Sequence, residues 1–143
     1  MNHSNKTVCV VGASGLLGSN VLKEALARGY KVNGTLRDVN APGKATFLNA
    51  LPNAEANLRL FEAEMADKES FDAAFSNVDC VFIACLIPVY KGPTGKPARE
   101  MDDEQGYAEI IMPTVNGCLN IMNAAAKQRV KNVVICSSTS STN

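Results

Sequence analysis

The chain of 143 residues contains no tryptophan, a single histidine and no net charge, its 14 Lys and Arg balancing 14 Asp and Glu. Each shortage excludes something. A general nucleic-acid binder replaces phosphate counterions with a basic surface, and a neutral chain offers at most a small local anion site. His3, the lone histidine, lies in a polar N-terminal stretch, so neither a zinc site nor a histidine-based triad is expected, and no metal ligands are assigned. No Cys-x-x-Cys pair occurs. Cys9, Cys80, Cys85, Cys118 and Cys136 are expected to be small buried hydrophobes in a reducing compartment. The longest apolar stretch, residues 81–90, is ten residues long and contains Pro88, against the roughly 20 that a membrane span needs. The opening MNHSNK has no apolar signal core. A cytoplasmic protein without membrane or nucleic-acid partners is the expectation.

What the sequence does have is apolar residues, 46% of the total, with 20% charged, which suffices for one packed domain. Their periodicity alternates between two types. Residues 7–11 (TVCVV) form a short β-branched run and predict a buried strand. Residues 15–28 then predict a helix, with Leu17, Val21, Leu22, Ala25 and Leu26 on one face and Gly29 as its left-handed stop. Further strands are expected at 31–36, 57–62, 79–84 and 131–136. A short helix is expected to end near Leu51. Another starts from an Asp67 cap (or Ser70) and uses Phe71, Ala74 and Phe75 as its apolar face. Residues 88–103 read as a loop. Residues 104–127 read as a long helix kinked at Pro113, with Tyr107, Ile110, Ile111, Val115, Cys118, Leu119 and Met122 on the buried side. Strands alternating with helices, the strands mostly continuous in apolar residues, imply a doubly wound α/β fold. Its five parallel strands are expected in the order 3-2-1-4-5.

The strongest chemical signal is VVGASGLLG, residues 10–18, in which Gly12, Gly15 and Gly18 recur between the first strand and the first helix. Binding a dinucleotide asks for such a turn. One glycine turns the chain, one lets the backbone approach a pyrophosphate, and one lets the helix close on the strand, with phosphates on the free N–H groups of the helix start. Gly12, Ser14, Gly15, Leu16, Leu17 and Gly18 are the cofactor-binding residues expected from this turn. The triplet is stronger for its strand–turn–helix context than a glycine pattern alone.

The spacing is G-x-x-G-x-x-G, and with it the sequence resembles the extended short-chain dehydrogenase/reductase superfamily, within it the dihydroflavonol reductase and cinnamoyl-CoA reductase group. The segments VVGASGLLGSNVLKEALARGYKVNGTLRD, EAEMADKESFDAAFSNVDCVFIAC, PTVNGCLNIMNAAA and VKNVVICSS carry the resemblance, in that order, from Thr7 onward. It implies an NADPH-dependent oxidoreductase acting on carbonyl substrates. Arg37 and Lys44 would bind the cofactor's 2′-phosphate, which favours NADP over NAD, while Asp38 is the residue that could instead reach a ribose. Glu64-Met65 would lie near the adenine, and Ala84, Cys85 and Leu86 along the ribose. Asn116 and Ser138 match active-site positions, the asparagine shaping the site and relaying protons, the serine bonding the substrate carbonyl. Asn116, Asn120 and Asn123 also fit a plain solvated stripe, and Ser138 a serine-rich tail.

The resemblance also implies a catalytic Tyr-x-x-x-Lys, in which the lysine lowers the tyrosine pKa. Here Tyr30 is followed four residues on by Gly34, Tyr90 by Thr94 and Tyr107 by Ile111. Residues 1–143 therefore read as an incomplete NAD(P)-binding Rossmann domain without its later strands and C-terminal substrate lobe, inactive alone, with a carbonyl substrate only for a longer chain. Two other functions stay open: a non-catalytic NADP-binding or sensing module, and a nucleotide-sugar epimerase or dehydratase, which Arg37 and Lys44 disfavour. The fifth strand is expected to be the sheet edge. Val133-Val134-Ile135 carries no charge or proline to block pairing, so self-association through this edge is expected.

Overall fold

A computed structural model describes residues 3, 5–85 and 91–137. Strand β1 (Thr7–Val11) is buried on both faces because nearly every one of its residues is apolar. Val8 and Val10 point into one core, Cys9 and Val11 into the other. Each fully buried side chain of this kind contributes roughly 1.5–3 kcal/mol. Helix α1 (Leu16–Ala27) returns the chain to β2 (Lys31–Leu36), with Gly29 at φ +81° making the stop. Helices α2 (Lys44–Asn49) and α3 (Ala54–Asn57) lead to β3 (Leu58–Glu62), and α4 (Asp72–Phe75) leads to β4 (Cys80–Ile83). Then come α5 (Asp103–Gly106), a π-turn (Tyr107–Ile111), α6 (Met112–Lys127) and β5 (Asn132–Ile135). The strands are parallel throughout, in the order β3-β2-β1-β4-β5, as the alternating pattern implies. One core packs under α1, α2 and α3, and the other under α4 and α6.

Three local expectations are corrected. Helix α4 begins at Asp72 after Phe71, not at an Asp67 cap. The Asp67 side chain instead accepts the Glu69 N–H at 3.0 Å in a turn. A second short helix, α3, follows Asn53, whose φ of +67° restarts the chain. Pro113 is absorbed by a widened turn: the Met112 N–H reaches back to the Tyr107 carbonyl, and the Thr114 hydroxyl donates to the Ile110 carbonyl at 2.9 Å. A proline has no N–H to give the preceding turn, and the wider loop redistributes the loss.

The largest correction concerns α6. Its buried residues are Gly117, Ile121, Ala124 and Ala125, whereas Tyr107, Ile111, Val115, Leu119 and Met122 are exposed. Both stripes are apolar at helical spacing. The small-residue stripe wins because it lets the helix lie close to the sheet: a Cβ on Gly117 would come within 2.4 Å of Met65 Cε. The cysteines also divide. Cys9 is buried, Cys80, Cys85 and Cys118 are half-buried, and Cys136 is exposed.

Candidate functional site

The carboxyl ends of the strands are stitched together one or two residues beyond each ladder. The Ala63 N–H donates to the Leu36 carbonyl at 2.8 Å, Ala13 to Thr35 at 3.0 Å, Ala84 to Val11 at 3.0 Å and Cys136 to Ile83 at 3.1 Å. This levels the strand ends and forms the rim from which the glycine turn rises.

The three glycines do three different things. Gly12 sits at φ +81°, and a Cβ there would lie 2.7 Å from Cys85 Cβ. Only glycine combines that conformation with that closeness. A Cβ on Gly18 would lie 2.0 Å from the Gly12 carbonyl oxygen, so Gly18 is where α1 closes on the turn. At Gly15 the nearest atom to a Cβ would be 3.5 Å away, an ordinary contact. The space above Gly15 is therefore open to a ligand. Gly15 also caps α1, which has no side-chain cap and no acidic residue in its first turn. The leading N–H groups of a helix have no intrahelical acceptors and carry the positive end of its dipole. A phosphate fits there on both counts. Ser14 and Leu16 are exposed around this opening, Leu16 at 87%, and Leu17 at 43%.

Thr35 holds the turn in place and is not singled out by the sequence. It is 2% exposed, its hydroxyl accepts the Gly12 N–H at 3.3 Å and its carbonyl accepts Ala13. The available signal is a hydroxyl inside the buried run KVNGTL, which needs a partner. Gly34 beside it makes room for the glycine turn and for α1, since a Cβ would press on Ala13 and Leu60 at 3.0 Å and on Leu22 of α1 at 3.2 Å.

Arg37 and Asp38 follow β2, and both are exposed. They are not equivalent. One Asp38 oxygen accepts the Asn40 N–H at 2.8 Å, committing it to its own turn. Arg37, and Lys44 at the start of α2, form no ion pair among the described residues. Glu64 is exposed, and its carboxylate accepts the Met65 N–H at 3.1 Å. Ser70 ties down the Glu64 backbone at both ends, 3.0 Å from its N–H and 3.0 Å from its carbonyl.

Met65 joins three elements: its carbonyl accepts from Asn120 at 2.8 Å, its sulfur lies 3.6 Å from Cys85 Sγ, and its methyl end packs on Gly117. Thus Met65, Cys85 and Gly12 form one continuous wall, beside the buried Ala84. Burial pushes the Cys85 thiol up to about 11, with Cys118 and Glu64 adding to it. Cys9, fully enclosed in the sheet, is pushed up strongly for the first of those reasons, and Cys80 is raised by burial and by Asp79. Asn116 is exposed on α6, one residue before Gly117. Leu86 and Ser138 lie outside the described residues.

A groove of ≈ 760 Å³ lies at the opposite ends of the strands, lined by Val21 and Glu24 of α1 and Arg28 just after it, with Cys80, Phe82 and Asn132 of the sheet. It is the face of β4 and β5 that no described helix covers, and it does not include the glycine turn. Among the described residues no helix is long and apolar enough to cross a membrane.

A parallel sheet with a glycine turn opening onto the first helix defines a dinucleotide-binding protein of the Rossmann class. The match to an NAD(P)H-binding family model over residues 12–143 makes this specific: the chain belongs to that NAD(P)H-binding family. Its relatives include a dihydroflavonol 4-reductase of Dianthus caryophyllus, 38% identical over 133 residues, covering 93% of this chain and 34% of that protein. Cinnamoyl-CoA reductase 1 of Arabidopsis thaliana is 39% identical, covering 94% and 35%. Vestitone reductase from alfalfa (Medicago sativa L.) superposes with a TM-score of 0.68 at 32% identity, over 94% of this chain and 36% of that one. A yeast methylglyoxal/isovaleraldehyde reductase, Gre2, complexed with NADPH, shares the fold at a TM-score of 0.69 and 21% identity, over 92% of this chain and 37% of that one. The chain spans about a third of the length of the curated relatives it matches. The resemblance of the sequence to the dihydroflavonol and cinnamoyl-CoA reductases is thus confirmed, and NAD(P)H is the family's cofactor.

Proposed function

We propose that this chain is the cofactor-binding part of an NADPH-dependent carbonyl reductase of the dihydroflavonol reductase kind. The observation that carries the reading is the open space over Gly15, at an uncapped helix start held by Thr35 through Gly12 and Ala13. The pyrophosphate binds there, against Ser14, Leu16, Leu17 and Gly18. Arg37 and Lys44 hold the 2′-phosphate, Arg37 as a charge-assisted fork. The engagement of Asp38 in its own turn favours this over a ribose-binding carboxylate. Glu64 and Met65 flank the adenine, and Ala84, Cys85 and Leu86 the ribose. Bound NADPH supplies the hydride for the carbonyl carbon, and the carbonyl oxygen needs a proton. Asn116 and Ser138 orient the substrate and its proton path. The 143 residues hold no tyrosine with a lysine four places on, so this chain by itself binds NADPH and reduces no carbonyl compound at an enzymatic rate.

Calorimetry with both cofactors tests the reading. Arg37→Ala removes a charge-assisted contact worth roughly 1.5–3 kcal/mol, so NADPH binding weakens by roughly 10- to 150-fold while NADH binding barely changes. Equal losses would remove Arg37 from the 2′-phosphate site. Gly15→Val abolishes binding of both cofactors and leaves the melting temperature close to that of the parent chain. Measurable oxidation of NADPH by the 143-residue chain with aldehydes or dihydroflavonols would contradict the expected inactivity.

A further inference from the structure

The β1–β2 ladder ends at the pair Val11 and Thr35, yet Thr35 goes on holding the chain beyond it. Two successive N–H groups of the glycine turn end on this one residue: Gly12 donates to the Thr35 hydroxyl at 3.3 Å and Ala13 to the Thr35 carbonyl at 3.0 Å. Ala13 also lies against Gly34, where a Cβ would come within 3.0 Å of its side chain. On the other side of β2, the Leu36 carbonyl accepts the Ala63 N–H at 2.8 Å. Thr35 and Leu36 are both buried, and the next residue, Arg37, is exposed and forms no ion pair among the described residues. Two residues of extended chain reach about 7 Å at most. The backbone that carries the Arg37 guanidinium is therefore fixed close to the backbone that carries the phosphate turn. The bond to Gly12 is the one hydrogen bond of this joint that a side chain makes. A valine at position 35 keeps the β-branched shape but leaves the Gly12 N–H without that acceptor.

We infer that Thr35 is a positioning residue for the dinucleotide: acting through Gly12, its hydroxyl fixes the separation of the pyrophosphate turn from Arg37 and so sets the preference for NADPH over NADH. This role rests on the nucleotide site proposed above. NADH meets the turn without the guanidinium, so a turn that shifts slightly costs it little. NADPH carries a pyrophosphate and a 2′-phosphate on one ribose, and both are satisfied only when turn and guanidinium stand at the matching separation. A joint that holds the two groups in advance gives the second contact without a further ordering cost. Loosening the joint therefore weakens NADPH more than NADH. A 2′-phosphate presented without a pyrophosphate makes no such demand, since the Arg37 side chain follows it.

Calorimetry with NADPH, NADH and adenosine 2′-monophosphate tests this in the parent chain, Thr35→Val, Thr35→Ser, Arg37→Ala and the Thr35→Val, Arg37→Ala double variant. Thr35→Val is expected to weaken NADPH about tenfold, NADH no more than about threefold and adenosine 2′-monophosphate not measurably. Thr35→Ser keeps the hydroxyl and restores the parent preference. Once Arg37 is alanine, Thr35→Val costs NADPH only the smaller factor seen for NADH, which the double-mutant cycle reads as coupling between the two side chains. A residue that merely fills the core weakens both dinucleotides by one factor and shows no coupling, and that result overturns the role. A serine variant as weak as the valine variant overturns it as well, because the hydroxyl is then not what acts. Amide exchange in the parent chain needs no variant to fold: the Gly12 amide is expected to be protected without cofactor, and exchange at the rate of an open loop overturns the bond. If the parent chain binds neither dinucleotide, the nucleotide reading falls and the cofactor role with it, while a protected Gly12 amide leaves the bond from the turn to Thr35 standing.

Discussion

The β1–β2 half of the sheet and its β5 flank are made of the same kinds of residue but are finished differently. Around β1 and β2, Val8, Val10, Val32, Leu36 and Leu22 are all buried, and even Asn33 and Thr35 are enclosed with their polar atoms bonded. At the flank, Val134 and Ile135 are 48% and 44% exposed, and the adjoining α6 shows Val115, Leu119 and Met122 to solvent. The cofactor turn is built on the finished half, so its geometry does not depend on what covers β5. Side chains are enclosed most completely beneath the glycine turn, and apolar surface is left exposed at the β5 flank.

The substitution that separates the halves most strongly is Gly18→Val. A Cβ there would meet the backbone of the glycine turn, the Gly12 carbonyl oxygen at 2.0 Å, its carbon at 2.8 Å and Ala13 Cα at 3.1 Å. Backbone cannot rotate away as a side-chain tip can. A loss of more than about 3 kcal/mol is expected in urea unfolding, against less than about 1 kcal/mol for Val134→Ala on the flank. Equal losses would show that the turn is as yielding as the edge.

Next in size is Asn33, whose amide donates to the Ala74 carbonyl at 2.8 Å and ties β2 to α4 through the core. Asn33→Ala leaves that carbonyl without its donor, and a loss of about 1–3 kcal/mol is expected. The same change at Asn132, which opens β5 and is exposed, should register within about 0.5 kcal/mol. Thermal melts of the two variants make the comparison directly.

These positions also mark the limits of sequence reading. The glycine turn, the strand order and the apolar strands were legible because each is set by local periodicity or by a motif a few residues long. Asn33 and Thr35 were not, because a polar residue in an apolar run declares neither its orientation nor its partner 41 or 23 residues away. The face of α6 was misread for a related reason. Bulk favoured Val115, Leu119 and Met122, but a helix pressed against a sheet selects small residues where the surfaces touch, and Gly117, Ala124 and Ala125 are those residues. The roles proposed for Arg37, Lys44 and Asn116 rest on resemblance, since an exposed side chain leaves no packing signature.

Smaller still in free energy, but visible in solution behaviour, is the edge itself. β5 pairs with β4 alone among the described strands. A charge in the middle of an open edge is a standard block to strand pairing. Val134→Lys is expected to change stability by no more than about 0.5 kcal/mol while shifting sedimentation of concentrated protein toward the monomer. If the parent chain is already monomeric at high concentration, the exposed edge is not sticky and the contrast between the halves is one of burial alone.

The smallest effect lies at the amino ends of the strands, where Asp79 joins β1 to β4. The Thr7 N–H donates to its carboxylate at 3.1 Å, and Lys6 lies 3.2 Å away. The Thr7 bond foremost, then Lys6 and the charge of Lys131, hold this carboxyl below the usual range against a modest opposing effect of burial. A carboxylate with a depressed folded pKa binds fewer protons in the folded state than in the unfolded state. Its stabilisation is therefore complete above the ordinary carboxylate value of about 3.9 and drains away as pH falls through the lower folded value. The side chain is 28% exposed and its lysine partner 55%, so water screens the pair and the contribution stays below about 1 kcal/mol. Asp79→Asn should lower stability slightly at neutral pH and flatten its decline below about pH 4, read from urea midpoints collected across that range. An unchanged slope would mean that Asp79 titrates alike folded and unfolded, leaving the joint between β1 and β4 to the backbone ladder.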